Sequence, residues 1–305
     1  ELVGTTGQCV LIDPGRRDLL FCVHERSTPK EPLMYRYTRN QKAKETRTTR
    51  FKHLLTELKD QHPGVREAED RLSKVAQSSV DPTTYRQLLA VRHQVSHTLS
   101  GFYGALSSIH SSGHPLFRKL RLSAYINQRQ ADDRLVRHLR EKYGPDAVLV
   151  MGNWSSPHTR YHEPIRGKGM REMLRRKGFQ VYLVDEFNTS KHCPSCQQCS
   201  LETFKEVPNP RPYRREARPT ITCHGLLRCT NQYCLESMRR ITRSKSSTAS
   251  RRLWNRDMAA ALNLRHILDG LRNDGVIPTR FQRQQNQGTD EERPRKRPRR
   301  RLLSL

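Results

Sequence analysis

The stretch from Val181 to Cys196, VYLVDEFNTSKHCPSC, restricts the fold of this chain more than any other. Residues 179–185 carry a strand pattern, with Phe179, Val181 and Leu183 on one predicted buried face. The strand closes on two carboxylates, Asp185 and Glu186, and Cys193 and Cys196 follow as a C-x2-C pair. A strand, an acid and a thiol pair in direct succession imply a sheet edge with a site on it, beside a metal knuckle. Upstream, DAVLVMG (residues 146–152) is a continuous apolar run of the kind buried on both faces of a sheet. It leads through a loop holding Asn153, Trp154, His158, His162 and Glu163 into a basic helix predicted over 165–177, closed by Gly178. Strand, helix and strand make a βαβ unit, so the two strands are expected to be parallel neighbours. Their carboxyl ends then share one edge, where α/β sheets bind ligands.

The amino-terminal part supplies a hairpin. Residues 8–13 (QCVLID) and 18–24 (DLLFCVH) read as two strands joined by a Pro14-Gly15 turn, with Asp13 at its mouth. An Asp ending an apolar strand is costly unless solvated, hydrogen-bonded or metal-bound. The plainer reading is a turn-initiating Asp, and both stay open. Residues 25–45 are polar and give no clear element, although Tyr35 and Tyr37 interleave with Arg36, Arg39, Lys42 and Lys44 in a way that suits phosphate and base contact. From Thr46 to Tyr143 the period is helical. Phe51, Leu54, Leu55 and Leu58 mark a first face, broken at His62-Pro63-Gly64, and a second helix is predicted over 66–75. A third carries Leu88, Leu89, Val91, Val95, Leu99, Phe102 and Leu106. A fourth runs from Leu116 to Tyr143 with Leu122, Tyr125, Ile126, Leu135 and Leu139 on its apolar side.

Charge narrows the partners. Lys and Arg number 57 against 30 Asp and Glu, a net charge of +27. The cluster RPRKRPRRR at 293–301 supplies seven basic residues; without it 50 remain against 30, still +20. A basic body as well as a basic tail favours a polyanion, since Lys and Arg contacts to phosphate release counterions. The plainer alternative is a solvated basic surface. No run of 18 apolar residues and no apolar leader is present, so no membrane partner is expected. The eight cysteines are then expected in a reducing compartment, where clustered pairs signify metal more often than disulfide.

After Cys193 and Cys196 come 32 residues and then a C-x4-C pair, Cys229 and Cys234. Four thiolates so spaced can close a tetrahedral zinc shell. The intervening PNPRPYRREARP reads as a loop or extended arm; Cys199 is spare, and Cys223 with His224 is an alternative ligand pair. A helix is predicted from Arg251 to about Leu271, capped by Thr248 or Ser250, with Leu253, Ala260, Leu264 and Ile267 on one side. Asp257 lies on it near small residues that allow close approach to a sheet; the competing reading is a helical i,i+4 pair with Arg252, Arg256 or neighbours. Residues from about 285 read as disordered.

Asp13, Glu186 and Asp257 thus form three acids that can converge on one sheet edge inside a basic protein. Such a set suits two Mg2+ ions acting on a phosphodiester. The ordered set of Asp13 with its Pro-Gly turn, a helical insert, DEFNTSKHCPSC, GLLRC and NRDMAAALNL resembles the RuvC-like nuclease half of TnpB and its eukaryotic relatives, the Fanzor proteins. These are transposon-encoded, RNA-guided DNA endonucleases. The most specific pieces are TSKHCPSC at 189–196 and RDMAAALN at 256–263, and the resemblance runs from residue 8 to about 270. It implies an α/β, RNase H-like (RuvC) mixed sheet carrying a helical insertion and a zinc-ribbon insertion. It matches Asp13 and Asp257 to the first and third catalytic carboxylates and Cys193, Cys196, Cys229 and Cys234 to the zinc ligands. The chain departs from the TnpB pattern after DAVLVMGN, where the usual Glu is replaced by Gly152, Asn153 and Trp154. The Fanzor-like pattern, with a Glu before TS-x-x-C, points to Glu186, whose neighbour Asp185 alternates to the opposite face.

The organisation that follows is a first RuvC-like hairpin and basic segment (1–45), a helical insertion (46–143), a βαβ part (144–190), a zinc-ribbon target-nucleic-acid-binding domain (191–247), a final helix (248–275) and a disordered basic tail (276–305). The start at Glu1 reads as a fragment or processed product, and only twelve residues precede Asp13, where the family carries guide and target recognition domains. The expected function is the Mg2+-dependent nuclease core of an RNA-guided DNA endonuclease, with DNA as target, guide RNA as partner of the full-length protein, structural Zn2+, a monomeric state and, from the 293–301 cluster, nuclear import. The alternatives are a catalytically inactive zinc-ribbon nucleic-acid binder of transposon origin and a ribosome-type RNA-binding protein.

Overall fold

A computed structural model describes residues 2–28, 31–103, 115–153, 167–234 and 252–283. Strands β1 (Cys9–Asp13) and β2 (Asp18–His24) form the antiparallel hairpin, with Ile12 opposite Cys22 and Asp13 opposite Phe21. The stretch that gave no clear element adds β3 (Met34–Thr38), antiparallel to β2, and helix α1 (Arg39–Glu45). Thr38 caps α1, its hydroxyl accepting the Gln41 N–H at 3.1 Å. The interleaved Tyr and Arg of this segment are the two faces of a strand. Tyr37 is buried in the core while Arg36 points the other way.

Helices α2 (Thr48–Asp60), α3 (Pro63–Ser73), α4 (Pro82–Tyr103) and α5 (Pro115–Tyr143) follow. The second helix starts at Pro63 rather than Arg66, because proline at the first helical position loses no bond. Along α5, Leu135, Val136 and Leu139 pack on the sheet, but Leu122, Tyr125 and Ile126 are 62%, 58% and 44% exposed, against the expectation of one continuous apolar side. The reason is length: 29 residues of helix span about 43 Å, far more than five-residue strands can cover.

Strand β4 (Val148–Gly152), buried at every residue, pairs in parallel with β1. Helix α6 (Gly167–Arg176) ends in a Schellman motif at Gly178, with φ of 88°, where the Phe179 N–H reaches Leu174 O and the Gly178 N–H reaches Arg175 O. The chain then enters β5 (Val181–Val184), parallel to β4. The five-stranded sheet has the order β3-β2-β1-β4-β5, so the protein is α/β with a mixed parallel and antiparallel sheet. Leu183, expected to be buried, is 44% exposed; β5 is the last strand, and the core under α5 and α6 reaches it only at Val181.

Beyond β5 lie β6 (Leu201–Thr203), β7 (Glu206–Pro208), β8 (Thr220–Thr222), β9 (Leu226–Cys229) and β10 (Leu253–Asn255). Strands β10, β9 and β6 form a small antiparallel sheet, and β7 with β8 makes a hairpin that carries the Pro- and Arg-rich arm. The last helix, α7 (Arg256–Asn273), starts five residues later than expected, because Asn255 caps it: its Oδ1 accepts the Met258 N–H at 3.0 Å. Leu253 is accordingly a strand residue, 54% exposed, and not part of the helix.

Strict alternation along β1 builds two cores. Val10 and Ile12 face α5 and α6, whereas Cys9 and Leu11, with Val148, Val150 and Val184, face Leu264, Ile267 and Leu268 of α7. Each such side chain contributes about 1.5–3 kcal/mol when fully buried. A third cluster joins Phe21 and Val23 of β2 to Ala259, Ala261 and Leu262 of α7 and to Leu227, Trp254 and the cysteines. No described helix is long and apolar enough to cross a membrane. Trp154, His158, His162, Glu163, Thr248, Ser250 and the basic cluster at 293–301 lie outside the described residues.

Candidate functional site

Two parallel strands, β1 and β4, end side by side, and β5 ends next to β4. Asp13 is the last residue of β1, Glu186 follows β5, and Asp257 is the second residue of α7, whose amino end lies over the same edge of the sheet. Between Asp13 and Glu186 stands Gly152, the last residue of β4. A Cβ there would overlap Oε2 of Glu186 outright, stand 2.6 Å from its Cδ and 3.2 Å from Cδ of Pro14. The Glu186 side chain therefore lies back across the end of β4, in space that only a glycine leaves open. Arg171 of α6 fixes this end of β4 by donating from Nη2 to Gly152 O at 2.6 Å.

Asp13 feels both of the other acids. The Asp13 carboxyl is pushed up to about 8, first by burial, then by the charge of Glu186 and then by that of Asp257, with Arg256 opposing. Burial also raises Asp257, followed by the charge of Asp18, with Arg256 and Arg36 acting the other way. Asp185 takes no part: Arg283 donates to both its oxygens at 2.8 and 3.2 Å and holds it below the usual carboxylate range. Like charges brought this close cannot all ionise without a cation among them. The Glu186 carboxylate seated over Gly152 and the buried Oδ1 of Asp18, which has no hydrogen-bond partner among the described residues, are oxygen donors of the kind a divalent ion takes.

Among the described residues, the ligand set already close enough to hold a metal is the thiol one. The Sγ atoms of Cys193, Cys196, Cys229 and Cys234 lie within 4.8 Å of one another. Cys193 and Cys234 are 3.9 Å apart, and Cys196 and Cys229 3.8 Å. A tetrahedral shell with Zn–S bonds of about 2.3 Å places its sulfurs about 3.8 Å apart, so the set can hold an ion such as zinc. The first pair sits on a tight knuckle in which the Gln197 N–H returns to Cys193 O at 2.8 Å and Gln197 takes φ of 59°. Burial raises Cys193 and Cys234. At Cys196 burial is outweighed by the Gln198 amide and the Ser200 hydroxyl, and the thiol falls to about 7. Ser200 Oγ also stands 3.1 Å from Cys229 Sγ, a polar contact of the kind that orients a metal ligand. Cys199 is exposed, and neither it nor Cys223 nor His224 joins the set.

The two centres are tied together. Asn263, buried in α7, donates from Nδ2 to Thr189 O and His192 O, both at 2.7 Å, and so pins the loop between Glu186 and Cys193. The Cys229 N–H reaches Arg252 O at 2.9 Å, and the Arg256 N–H reaches Gly225 O at 3.0 Å, so β9 locks the residues that lead into Asp257. Sequence reasoning missed Asp18, Arg36 and Arg171. Asp18 was visible only as a strand start, and nothing in the pattern of 25–45 marked Arg36 as its partner. No protein-family model matches the chain, and no curated protein matches it.

Proposed function

We propose that the chain is the nuclease core of a transposon-encoded, RNA-guided DNA endonuclease of the TnpB and Fanzor kind, with an RNase H-like fold. The observation that carries the reading is the Glu186 carboxylate lying across Gly152 beside Asp13, with Asp257 acting on the same site. It accounts for the missing acid after β4: the neighbouring strand supplies one from a displaced backbone position. The central parallel pair β1 and β4, the helices between β3 and β4, and the thiol unit between Glu186 and Asp257 agree with the arrangement the resemblance implies.

Asp13, Glu186 and Asp257 would hold Mg2+. When bound, such ions supply a nucleophile at neutral pH and charge against the leaving oxygen of a phosphodiester. Asp13, acted on by both other acids, holds a proton in the metal-free site and would serve as a ligand in its ionised form. Gly152 keeps the Glu186 carboxylate in reach, and Arg171 keeps β4 from shifting. The basic surplus suits a phosphate backbone, and the exposed Tyr213 and Tyr233 of the thiol unit offer stacking surfaces, Tyr213 with Arg214 over its ring. Sequence choice would rest with a guide RNA.

The test is cleavage. The chain is purified with its bound RNA, that RNA is sequenced, and duplex DNA matching it is supplied with Mg2+. Cutting that requires Mg2+ and disappears in Asp13→Ala and Asp257→Ala is expected. Cutting that persists in both variants would refute the assignment of the site. RNA and DNA binding without cutting under any divalent ion would leave an inactive zinc-ribbon nucleic-acid binder in its place.

A further inference from the structure

The acidic edge holds a fourth carboxylate. We propose that Asp18, clamped by Arg36, completes a divalent-cation site on the Asp257 side, sharing the cation with Asp257 through Oδ1. The proposal rests on the nuclease reading to the extent that Asp13, Glu186 and Asp257 bind metal.

Three observations lead to it. The first is direction. Undisturbed alternation along β2 would put Asp18 on the same face as Leu20 and Cys22, under α5 and α6. The pairing with β3 shifts between Asp18 and Leu20, where Asp18 faces Thr38 and Leu20 already faces Tyr37. Leu19 is the extra residue, and both Leu19 and Leu20 pack into the core under α5 and α6. The bulge thereby turns Asp18 to the other face, that of Phe21 and α7. Bulges near sites commonly re-aim a side chain in this way.

The second is the clamp. Arg36 donates from Nε at 3.1 Å and from Nη2 at 2.8 Å, both to Oδ2 of Asp18. A pair built for stability alone commonly uses both carboxylate oxygens in a fork. Here the two donors converge on one oxygen and leave the other out. Arg36 also stands over the Phe21 ring, 5.9 Å from its centre, which helps fix the guanidinium. The turn adds rigidity, since the Gly15 N–H donates to Asp18 O at 2.9 Å and holds Asp13 and Asp18 on one hairpin.

The third is the free oxygen. Asp18 is 3% exposed, and its Oδ1 has no hydrogen-bond partner among the described residues. An unmet buried acceptor costs about 1–3 kcal/mol. The Asp18 and Asp257 side chains lie within hydrogen-bond reach of each other, carboxyl against carboxyl. Two facing carboxylates with no other donor between them are held together by a shared proton or by a cation, and a divalent cation is the occupant assigned here.

Mn2+ serves as the probe. Free Mn2+ is followed by electron paramagnetic resonance while the ion is titrated into the full chain, in wild type, Asp18→Asn, Arg36→Ala and Asp13→Ala. In Asp18→Asn one binding step is expected to weaken about tenfold to a hundredfold while another stays, and Arg36→Ala is expected to weaken the same step less. Asparagine still accepts from Arg36, so the metal-free melting midpoint of Asp18→Asn should hold; a merely structural role would lower that midpoint and leave Mn2+ binding alone. Superimposable Mn2+ curves for wild type and Asp18→Asn would overturn the proposal. If Asp18→Asn does not fold, Arg36→Ala decides in its place, and unchanged binding there overturns it. Loss of Mn2+ binding in Asp13→Ala alone would leave the nuclease reading standing without Asp18, whereas a wild-type chain that binds no Mn2+ would end both.

Discussion

The thiol centre and the acidic centre are built in opposite ways. The thiol centre takes two ligands from one knuckle and two from the end of β9 and just beyond it, and its sulfurs already stand at zinc-shell spacing. The acidic centre gathers its members from the ends of β1 and β5 and the start of α7, residues as distant in sequence as 13 and 257, and burial with the charges of Glu186 and Asp257 raises the proton affinity of Asp13. Thiols come together protonated at their ordinary proton affinity; carboxylates do so at neutral pH only by taking up a proton or a cation. Closed four-ligand shells hold structure, whereas sites that keep an open position do chemistry. One region should therefore fail by unfolding and the other by inactivity.

The largest effect tests the first half of that contrast. Chelation, or Cys193→Ser, should remove about one zinc per chain and loosen the cluster that joins Cys193, Cys229 and Cys234 to Phe21, Trp254 and Leu262. Structural zinc sites bind with on the order of 10 kcal/mol, and part of that is folding energy. Trp254 emission should shift to the red and the melting midpoint should drop; unchanged emission after complete zinc removal would break the distinction. Next come the acids. Asp257→Asn should cut Mg2+-dependent cleavage by about a thousandfold, or about 4 kcal/mol of barrier, yet leave the metal-free melting midpoint equal or higher, because a repelling charge is gone. A midpoint that fell as it does in Cys193→Ser would erase the contrast.

Smaller still is Gly152→Ala. The methyl group displaces the Glu186 carboxylate, and cleavage should drop about tenfold to a hundredfold, about 1.4–2.7 kcal/mol, with zinc content unchanged. Wild-type rates in this variant would mean that Glu186 does not act from across β4. The smallest effect is on pH dependence. Asp13 titrates at about 8 in the fold and near 4 in the unfolded chain. Below about pH 4 both states carry the proton; between about 4 and 8 only the folded state does. Metal-free stability should therefore fall as pH rises through that window, by no more than about 1.4 kcal/mol per unit, and level off above it. Melting scans from pH 5 to 8 should show this slope in wild type and a flatter one in Asp13→Asn.

Much of the frame was legible in the chain. The β1–β2 hairpin, the buried strand β4, the parallel β5 and the Gly178 stop each follow from local pattern. The four thiols were legible because ligand spacing is itself a local property. Strand β3 was not, since its apolar face is made by tyrosines between arginines, which resemble an exposed segment until Tyr37 is packed. The start of α7 was misread because Asn255 caps the helix after a short strand that only pairing with β9 defines.

Residue identity alone determined that this chain has a sheet with acids at strand ends, a thiol knuckle and a surplus of positive charge, because period, spacing and charge are carried by neighbours along the chain. Which acids meet was decided by tertiary structure. Glu186 lies across the end of β4, where its charge acts on Asp13, only because Gly152 leaves that end bare, and Asp18 turns to the face of α7 only because β2 slips one residue against β3. Both depend on steric and hydrogen-bonding relations between strands far apart in sequence, and such relations exist only once the sheet has formed.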